Sequence, residues 1–494
     1  MTVDDLPPTT LKPGAIGFFD ALVIGLAATS PAYSLAAVIG PIVLLVGVSA
    51  PGVLIASFVP MLLIASAFYH LNAVDTDCGT TFSWVTRAMG PWFGWFGGWA
   101  IAMTGVLVIG SLAETGVRFS LLTVGADSAA DNTWLVRGLS VLLIVAMTAI
   151  CVFGTEASAR LQNALIVAQV LALLAFAVVA LVRVANDTST LESVSPSFSW
   201  LNPFSEGGAA LTGGLLLGVF AYWGWESSVN LAEETTDPES APGRAAVVST
   251  LVLLVTYVAV AYAVVAYAGA SFLADNSDEE EAIFALLATE VMGRWDWVVL
   301  LAVATSAIAS TQTTIIPASR TGFSMARRHA LPPGLARIHP RYRTPDVSTW
   351  WVAGIASGWY LLVSVISENA LFDSITALSL LIAFYYGLTG IACAIYFRHR
   401  LTESVRSLFL VGIGPVLGSL MLFWLLVQSV IDMSDPENSY SGQSWFGLGP
   451  PLVIGIGIVL VGVVVVFGWR TQDTRYWNET RSTVEEDAAV EVER

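Results

Sequence analysis

The sequence predicts an all-α integral membrane protein with 12 transmembrane helices. Of its 494 residues, 55% are hydrophobic and only 12% are charged, whereas charged residues make up about 25% of a typical soluble domain. The apolar residues recur in stretches of about 20, the length that crosses a hydrocarbon core about 30 Å thick. Basic residues also alternate between successive connecting segments. These observations indicate a polytopic membrane protein rather than a soluble enzyme.

The apolar stretches follow one another with mostly short polar connections. We expect the 12 spans at Phe18–Val46, Val53–Tyr69, Trp92–Leu122, Leu135–Phe153, Ala164–Val184, Leu211–Asn230, Val247–Ala268, Trp297–Met325, Val347–Ile366, Ile375–Phe397, Leu408–Ile431 and Pro451–Trp469. Residues 1–17 and 470–494 then form cytoplasmic terminal segments. The acidic C-terminal segment has the composition of a disordered tail.

The basic residues set the expected orientation. With the N-terminus in the cytoplasm, 17 basic residues fall in inner segments and four at outer ends, which together account for all 21. The four outer residues are Arg118, Arg137, Arg183 and Arg294. Positive charge is retained on the cytoplasmic side of membrane proteins. The sequence therefore predicts a multi-pass protein of the cell membrane with both termini in the cytoplasm.

Two predicted spans carry helix-weakening residues near their middle. In span 1, Pro31 lacks an N–H group and disfavours helix at Ser30. In span 6, Gly224 loosens the backbone beside Glu226. Backbone groups freed at membrane depth are tolerated only in a cavity or buried in protein. Breaks at matching positions of two five-helix halves point to a transporter site, although a proline kink and a packing glycine are the simpler alternative.

Four motifs lie at the ends of predicted spans. They are Cys-Gly-Thr-Thr-Phe-Ser-Trp at 78–84, Phe-Ala-Tyr-Trp-Gly-Trp-Glu at 220–226 with its continuation through 238, Arg-Thr-Gly-Phe-Ser-Met-Ala-Arg at 320–327, and His-Pro-Arg-Tyr-Arg-Thr-Pro at 339–345. With these segments the chain resembles the amino acid–polyamine–organocation (APC) superfamily of permeases. The resemblance extends over spans 1 to 10 and is specific through the combination of motifs.

The resemblance implies a LeuT-like core of 5+5 inverted repeats at 18–397. The repeats would cover about 18–184 and 211–397, with two peripheral helices at 408–469. The implied function is secondary active transport, by symport or exchange, of amino acids or related amines by alternating access. The coupling partner would be a proton, sodium or a counter-substrate. A polyamine or other organocation permease of the same fold is one alternative, and a non-transporting membrane sensor is another.

The resemblance also implies where substrate binds. The family uses a break in span 1 to offer backbone N–H groups to a substrate carboxylate, and the matching positions are Thr29, Ser30 and Pro31. Because Pro31 has no N–H group, the two hydroxyls would have to replace one donor. Span 6 would offer carbonyls near Ala221 and Tyr222 to the amino group. Phe220, adjacent to them, matches the aromatic residue that closes the site.

The coupling residues depart from the family pattern in span 5. Proton-coupled relatives carry a lysine at the position that aligns with Gln169, and glutamine cannot titrate. Hydroxyls in span 8 are therefore candidates for an ion site, at Ser306, Ser310 and Thr311, although hydroxyls on membrane helices are mostly packing residues.

Glu226 is an acidic side chain near the centre of span 6. A charge at that depth costs about 2.5–3.5 kcal/mol on insertion scales, so it is a functional candidate by default. Three roles remain open from the sequence. Glu226 carries a coupled proton, braces span 1 against span 6 as a neutral group, or pairs with a cationic substrate.

The sequence offers no support for catalysis. We find no nucleophile paired with a base, no metal-ligand spacing and no nucleotide-binding loop. The three cysteines, Cys78, Cys151 and Cys393, are expected to be small packing residues. No cofactor, metal or nucleic acid is expected, and the partners are a small-molecule substrate, a coupling ion and the lipid bilayer.

Overall fold

A computed structural model describes residues 10–205, 207–275, 280–366, 369–439, 441–479 and 481–482. Residues 483–494 of the predicted disordered tail lie outside these residues, as do residues 1–9. The prediction is wrong for the start of the tail, where Tyr476 is buried in a short 3-10 helix and its hydroxyl is hydrogen-bonded to Thr86. The helices are α1 Phe18–Thr29, α2 Pro31–Val46, α3 Ala50–Asn72, α4 Thr81–Met89, α5 Pro91–Thr123, α6 Asp127–Ala130, α7 Thr133–Phe153, α8 Thr155–Ala185, α9 Gly208–Ala221, α10 Ala241–Asp275, α11 Glu280–Met292, α12 Trp297–Arg327, α13 Asp346–Ile366, α14 Asn369–Tyr396, α15 Val405–Ser407, α16 Gly414–Asp432 and α17 Pro450–Arg470.

The predicted all-α membrane fold is confirmed. In the described residues, ten helical segments are long and apolar enough to cross a membrane. The first, Phe18–Asn72, contains two of the predicted spans. The sixth predicted span is not among the ten, because its helix α9 ends after 14 residues. Because one of the ten segments contains two predicted spans, the ten account for eleven of the twelve. The twelfth is the interrupted sixth span.

Both predicted breaks are present. Ser30 lies between α1 and α2 in the left-handed conformation, with φ 54° and ψ 64°. The sixth span departs further from the prediction, because regular α-helix stops at Ala221 rather than continuing to Asn230. Gly224 follows with φ 118°, and the chain continues as a 3-10 helix over Trp225–Glu234. A positive φ suits glycine, which has no Cβ to clash.

Small residues bring α5 close to α12 in the centre of the bundle. A Cβ added at Gly105 would lie 3.0 Å from the Cβ of Ala318, and one at Gly116 would lie 2.9 Å from Ile308. Small residues permit such close approach of helix backbones within membranes. Helix α12 also packs against α1 and α8. The first break is therefore held against α12 inside the protein, and all three cysteines are likewise buried.

Candidate functional site

The two helix breaks touch each other. A Cβ at Gly224 would lie 2.7 Å from the carbonyl oxygen of Ala28 and 3.0 Å from the nitrogen of Thr29. On the first span, a Cβ at Gly25 would lie 3.0 Å from the carbonyl oxygen of Trp225. All three distances are shorter than normal contacts of a side chain with a backbone. The glycines therefore let the interrupted backbones of spans 1 and 6 meet at one point.

A small polar cavity adjoins this meeting point. Its volume is about 10 Å³, enough for about one water molecule. Its walls come from spans 1, 3, 6 and 8: Ala28, Thr29, Ser30, Tyr33, Ser34, Val108, Leu112, Phe220, Trp223 and Ser310. Of the residues predicted to bind substrate, the structure brings together Thr29, Ser30 and Phe220. The cavity is too small for an amino acid, so the structure shows this region closed.

Hydroxyl groups connect the first break to α12. The oxygens Ser30 Oγ and Ser306 Oγ are 3.0 Å apart. Ser310 Oγ donates to the carbonyl oxygen of Ala28 over 3.0 Å. Thr311, in contrast, donates to a carbonyl of its own helix. Two of the three candidate ion-site hydroxyls are thus hydrogen-bonded to the break in span 1.

The span 6 residues differ in their distance from the cavity. Phe220 lines it and is 4% exposed. The carbonyl of Ala221 accepts a hydrogen bond from the Tyr257 hydroxyl at 2.8 Å. The ring of Tyr222 packs between Phe58 and Tyr257, with centroid distances of 5.7 and 5.1 Å. Neither Ala221 nor Tyr222 lines the cavity in this closed arrangement.

Glu226 is enclosed by aromatic side chains of span 10. Its two carboxylate oxygens accept hydrogen bonds from the hydroxyls of Tyr385 and Tyr386. Trp223 Nε1 donates to the Tyr385 hydroxyl, and the Gly224 N–H also interacts with the carboxylate. The contacts correct one sequence prediction: as a brace, Glu226 would tie span 6 to span 10, not to span 1.

Gln169 is buried away from the cavity. Its side chain is 1% exposed, and neither its amide oxygen nor its amide nitrogen has a hydrogen-bond partner among the described residues. Two turns earlier on α8, Gln162 donates to Gln312 Oε1 of α12 at 2.6 Å. Helix α8 therefore presents a polar face to α12. An unpartnered buried amide is unusual and costs about 1–3 kcal/mol.

The comparison with protein families decides the class of this protein. A family model described as amino acid permease matches residues 16–467. The chain belongs to the amino acid permease family. Its membership agrees with the all-α membrane fold and with the resemblance to APC permeases, and it makes the chain a multi-pass membrane transport protein rather than an enzyme.

Several curated relatives of this permease are named as amino acid transporters. A branched-chain amino acid permease of Lactococcus lactis is 26% identical over 80% of this chain and 84% of the relative. A branched-chain amino acid permease of Bacillus subtilis is 23% identical over 71% of this chain and 73% of the relative. The human large neutral amino acids transporter small subunit 2 is 27% identical over 67% of this chain and 57% of the relative. These names support an amino acid as substrate.

Ion pairs at the predicted cytoplasmic end of this permease received no role from the sequence. Arg320 Nη2 lies 2.8 Å from Glu234 Oε1, and both side chains are 1% exposed. Arg327 Nη2 lies 2.6 Å from Glu233 Oε1 and 3.0 Å from Asp77 Oδ2. The sequence contained a signal for these ion pairs. The span 6 motif carries two adjacent glutamates, and the motif at 320–327 carries two arginines. The pairs connect the end of the second break to α12 and to the segment before α4.

One corner of this network has the composition of a metal site. Ligand atoms of Asp77, Cys78 and Glu233 lie within 4.8 Å of one another. The guanidinium of Arg327 already forms ion pairs with both carboxylates. Burial alone would raise the pKa of Asp77, but Arg327 and the Ser324 hydroxyl outweigh it and bring the pKa down to about 2. The cluster is therefore better described as an ion-pair network than as a metal centre.

Proposed function

We propose that this permease is a secondary active transporter that moves a neutral amino acid with an apolar side chain across the cell membrane by alternating access. The observation that carries the proposal is the polar cavity where the two broken spans meet. Among its lining residues, hydroxyls face apolar side chains, and no carboxylate, ammonium or guanidinium group is present. The names of these relatives, a branched-chain amino acid permease and a large neutral amino acids transporter subunit, favour the same substrate class.

The substrate carboxylate would bind at the start of α2. The first N–H groups of a helix lack partners within that helix, and the helix dipole makes this end attractive to anions. Pro31 removes one of the N–H groups. The Ser30 hydroxyl, at the break itself, would supply the replacement donor by exchanging its contact with Ser306 for one with substrate.

The substrate amino group would bind at the C-terminal end of α9, where the helix dipole has the opposite sign. Carbonyl groups at a helix end carry partial negative charge. The carbonyl of Ala221 has one hydrogen bond, from Tyr257, and a carbonyl oxygen has two lone pairs. When the cavity opens, this oxygen can accept a second donor. The predicted role of Ala221 thus belongs to the open state, whereas Tyr222 contributes its backbone alone.

The side chain of the substrate would occupy the apolar wall. Val108 and Leu112 of α5 face the break across the cavity, and Phe220 closes it from span 6. An apolar wall leaves the ammonium groups of a polyamine without partners, which is costly at membrane depth. Glu226 does not line the cavity and already accepts two hydroxyl hydrogen bonds. These contacts favour neutral amino acids over organocations.

The coupling mechanism we propose does not use a lysine in span 5. Gln169 cannot exchange a proton, so coupling would depend on a counter-substrate or on a cation bound beside the first break. The Ala28 carbonyl and the Ser306 and Ser310 hydroxyls form the candidate cation position. The Thr311 hydroxyl would join this position only by giving up its hydrogen bond to a carbonyl of its own helix.

The matching breaks also support two inverted repeats, at about 18–184 and 211–397, with a peripheral pair at 408–469. The excess of basic residues supports cytoplasmic termini. In alternating access, one part of such a core rocks against the other around a fixed site. The closed cavity and the ion pairs at the cytoplasmic end would then describe one state of this cycle, in which Phe220 occludes the site.

The proposal can be tested by counterflow. Proteoliposomes preloaded with unlabelled leucine should accumulate labelled leucine, and external isoleucine or valine should compete, while arginine and putrescine should not. Replacing Phe220 by Ala should slow exchange, because an occluding aromatic acts on the closed state, and Phe220→Tyr should retain most of it. Competition by putrescine alone would identify an organocation permease, and leucine binding without counterflow would identify a sensor.

A further inference from the structure

A groove on the flank of the bundle is unrelated to the substrate cavity. Its volume is about 780 Å³, and it shares no lining residue with the cavity at the breaks. It runs between the starts of α1 and α10, the end of α3 and the segment before α16. Its lining residues are Phe18, Leu62, Leu63, Ser66, Tyr69, His70, Arg244, Val247, Val248, Arg406, Phe409, Leu410 and Gly414.

The long walls of this flank groove are apolar and face outward. Phe18 is 41% exposed and Phe409 is 54% exposed. Leu62 and Leu63 of α3 form the wall between them. On a multi-pass protein such exposed apolar side chains at the bundle surface contact lipid chains. The groove is therefore a depression in the lipid-facing surface rather than an aqueous pocket.

Two of the residues that line the flank groove are cationic. Arg244 lies in the first turn of α10 and Arg406 lies in α15, and both are exposed. Within the described chain, neither guanidinium lies within 4 Å of a carboxylate. Arg244 Nη1 donates a long hydrogen bond, 3.4 Å, to Ser240 Oγ of the preceding turn. Both arginines belong to the side that the distribution of basic residues assigns to the cytoplasm.

An irregular helical turn forms part of the groove wall. Residues Leu408–Ile413 form a π-helix, and such turns occur frequently at functional sites. A Cβ at Gly414 would lie 2.7 Å from the Phe409 carbonyl oxygen. Ser66 Oγ donates to the Leu410 carbonyl at 3.1 Å. These contacts fix the irregular segment on α3, with Arg406 at the mouth of the groove.

We propose that the flank groove binds an anionic phospholipid. The acyl chains would lie along Leu62, Leu63 and Phe409, and the phosphate would lie between Arg244 and Arg406. Guanidinium groups bind phosphate through paired, charge-assisted hydrogen bonds. Basic pockets between helices on the cytoplasmic side favour anionic headgroups, and the inner leaflet supplies them. The two unpaired guanidinium groups and the apolar walls thus complement the two ends of one lipid molecule.

The test is lipid retention by the intact protein. Purified protein is equilibrated with phosphatidylglycerol and phosphatidylcholine of identical chains, and bound lipid is counted by native mass spectrometry. Phosphatidylglycerol should be retained in preference. Each arginine should contribute about fivefold to affinity, so Arg244→Gln with Arg406→Gln should weaken phosphatidylglycerol binding by about 25-fold. The matched control, Arg160→Gln with Arg341→Gln, removes two exposed arginines outside the groove and should retain the preference.

Three results would overturn the proposal. They are equal retention of the two lipids by the unmodified protein, preserved preference in the Arg244 and Arg406 double variant, and equal loss in the control double variant. Glycerol 3-phosphate is added as a separate competitor. Its failure to displace the lipid supports a site that needs the chains, whereas full displacement at equal concentration would show a soluble phosphate site instead.

Discussion

The two helix breaks both interrupt a membrane span, but they differ in length and in backbone conformation. In span 1 a single residue, Ser30, leaves the helix, and regular helix resumes at Pro31. In span 6 regular helix ends at Ala221, and the chain continues as a 3-10 helix through Glu234. Hydrogen bonds in 3-10 helices have poorer geometry, and long runs are uncommon. The second break therefore depends more on side chains from other helices.

The anchoring contacts show the same difference. At the first break, hydroxyls bond to adjacent carbonyls, such as Ser34 Oγ to Thr29 O at 2.7 Å. At the second, Glu226 is held by span 10 and Glu234 by Arg320 of α12. The first break has single hydrogen bonds between neutral groups, both within span 1 and to α12, and a substrate could take their place. The second has long-range anchors, which suits a segment that must move as a unit during transport.

The largest effect is expected at the far end of the second break. Replacing Glu234 by Gln leaves Arg320 charged and buried without its carboxylate, which typically costs about 3–5 kcal/mol. The apparent melting temperature of the purified protein should fall strongly. The matched control is Glu479→Gln, which removes the partner of Arg328 where both side chains are partly exposed. Equal melting temperatures for the two variants would show that the second break does not need its charged anchor.

A slightly smaller effect is expected where the breaks touch. Gly224→Ala adds a Cβ 2.7 Å from the Ala28 carbonyl oxygen and imposes a positive φ on alanine. Overpacking and backbone strain each cost about 1–3 kcal/mol, so both stability and counterflow should fall. Gly208→Ala in α9 is the control, since nothing lies within 4 Å of its added Cβ. Full counterflow by the Gly224 variant would show that transport does not need the close contact between the two breaks.

Substitutions at the first break should change the affinity for leucine rather than the stability of the protein. Ser30→Gly keeps a residue that accepts φ 54° and removes only the hydroxyl. Loss of one hydrogen bond to a charged carboxylate should weaken leucine binding by about tenfold, with no loss of stability. Ser249→Ala, a buried serine outside the cavity, is the control. Ser30→Leu should abolish binding, and unchanged leucine affinity in both Ser30 variants would place the site elsewhere.

The smallest effect is expected at Glu226. No basic side chain of the described residues lies within 4 Å of its carboxylate, and an uncompensated charge at this depth is costly. A neutral brace should tolerate Glu226→Gln, because the amide retains an acceptor for one tyrosine. We expect counterflow to be nearly unchanged in proteoliposomes, and the response of uptake to an imposed pH gradient to equal that of the unmodified protein. Retained counterflow with loss of the pH-driven component would instead make Glu226 the proton carrier.

Much of this architecture could be read from the sequence because it depends on local properties. Apolar stretches of membrane-spanning length predicted the fold, and Pro31 and Gly224 predicted the breaks, since both act through their own backbone. The length of the second break could not be predicted. No proline or glycine follows Gly224 before Pro238, and the 3-10 helix there depends on contacts with α12 and α14.

Long-range partners were the other part that the sequence did not specify. Glu226 was recognised as a functional candidate, but its tyrosine partners lie 159 and 160 residues away. The pairing of Glu234 with Arg320 spans 86 residues. Such contacts follow from the helix arrangement and register, which composition and periodicity do not determine. The positions of the backbone breaks could therefore be predicted from the sequence, whereas the side chains that support them could not.

The central claim is that substrate binds where the two breaks meet, and a structure of the leucine-bound protein tests it most directly. The claim predicts a cavity enlarged by movement of Phe220, with the leucine carboxylate within about 3 Å of Ser30 Oγ. The leucine side chain should face Val108 and Leu112. Leucine bound at another position, with the Ser30 and Gly224 region still closed, would contradict the claim.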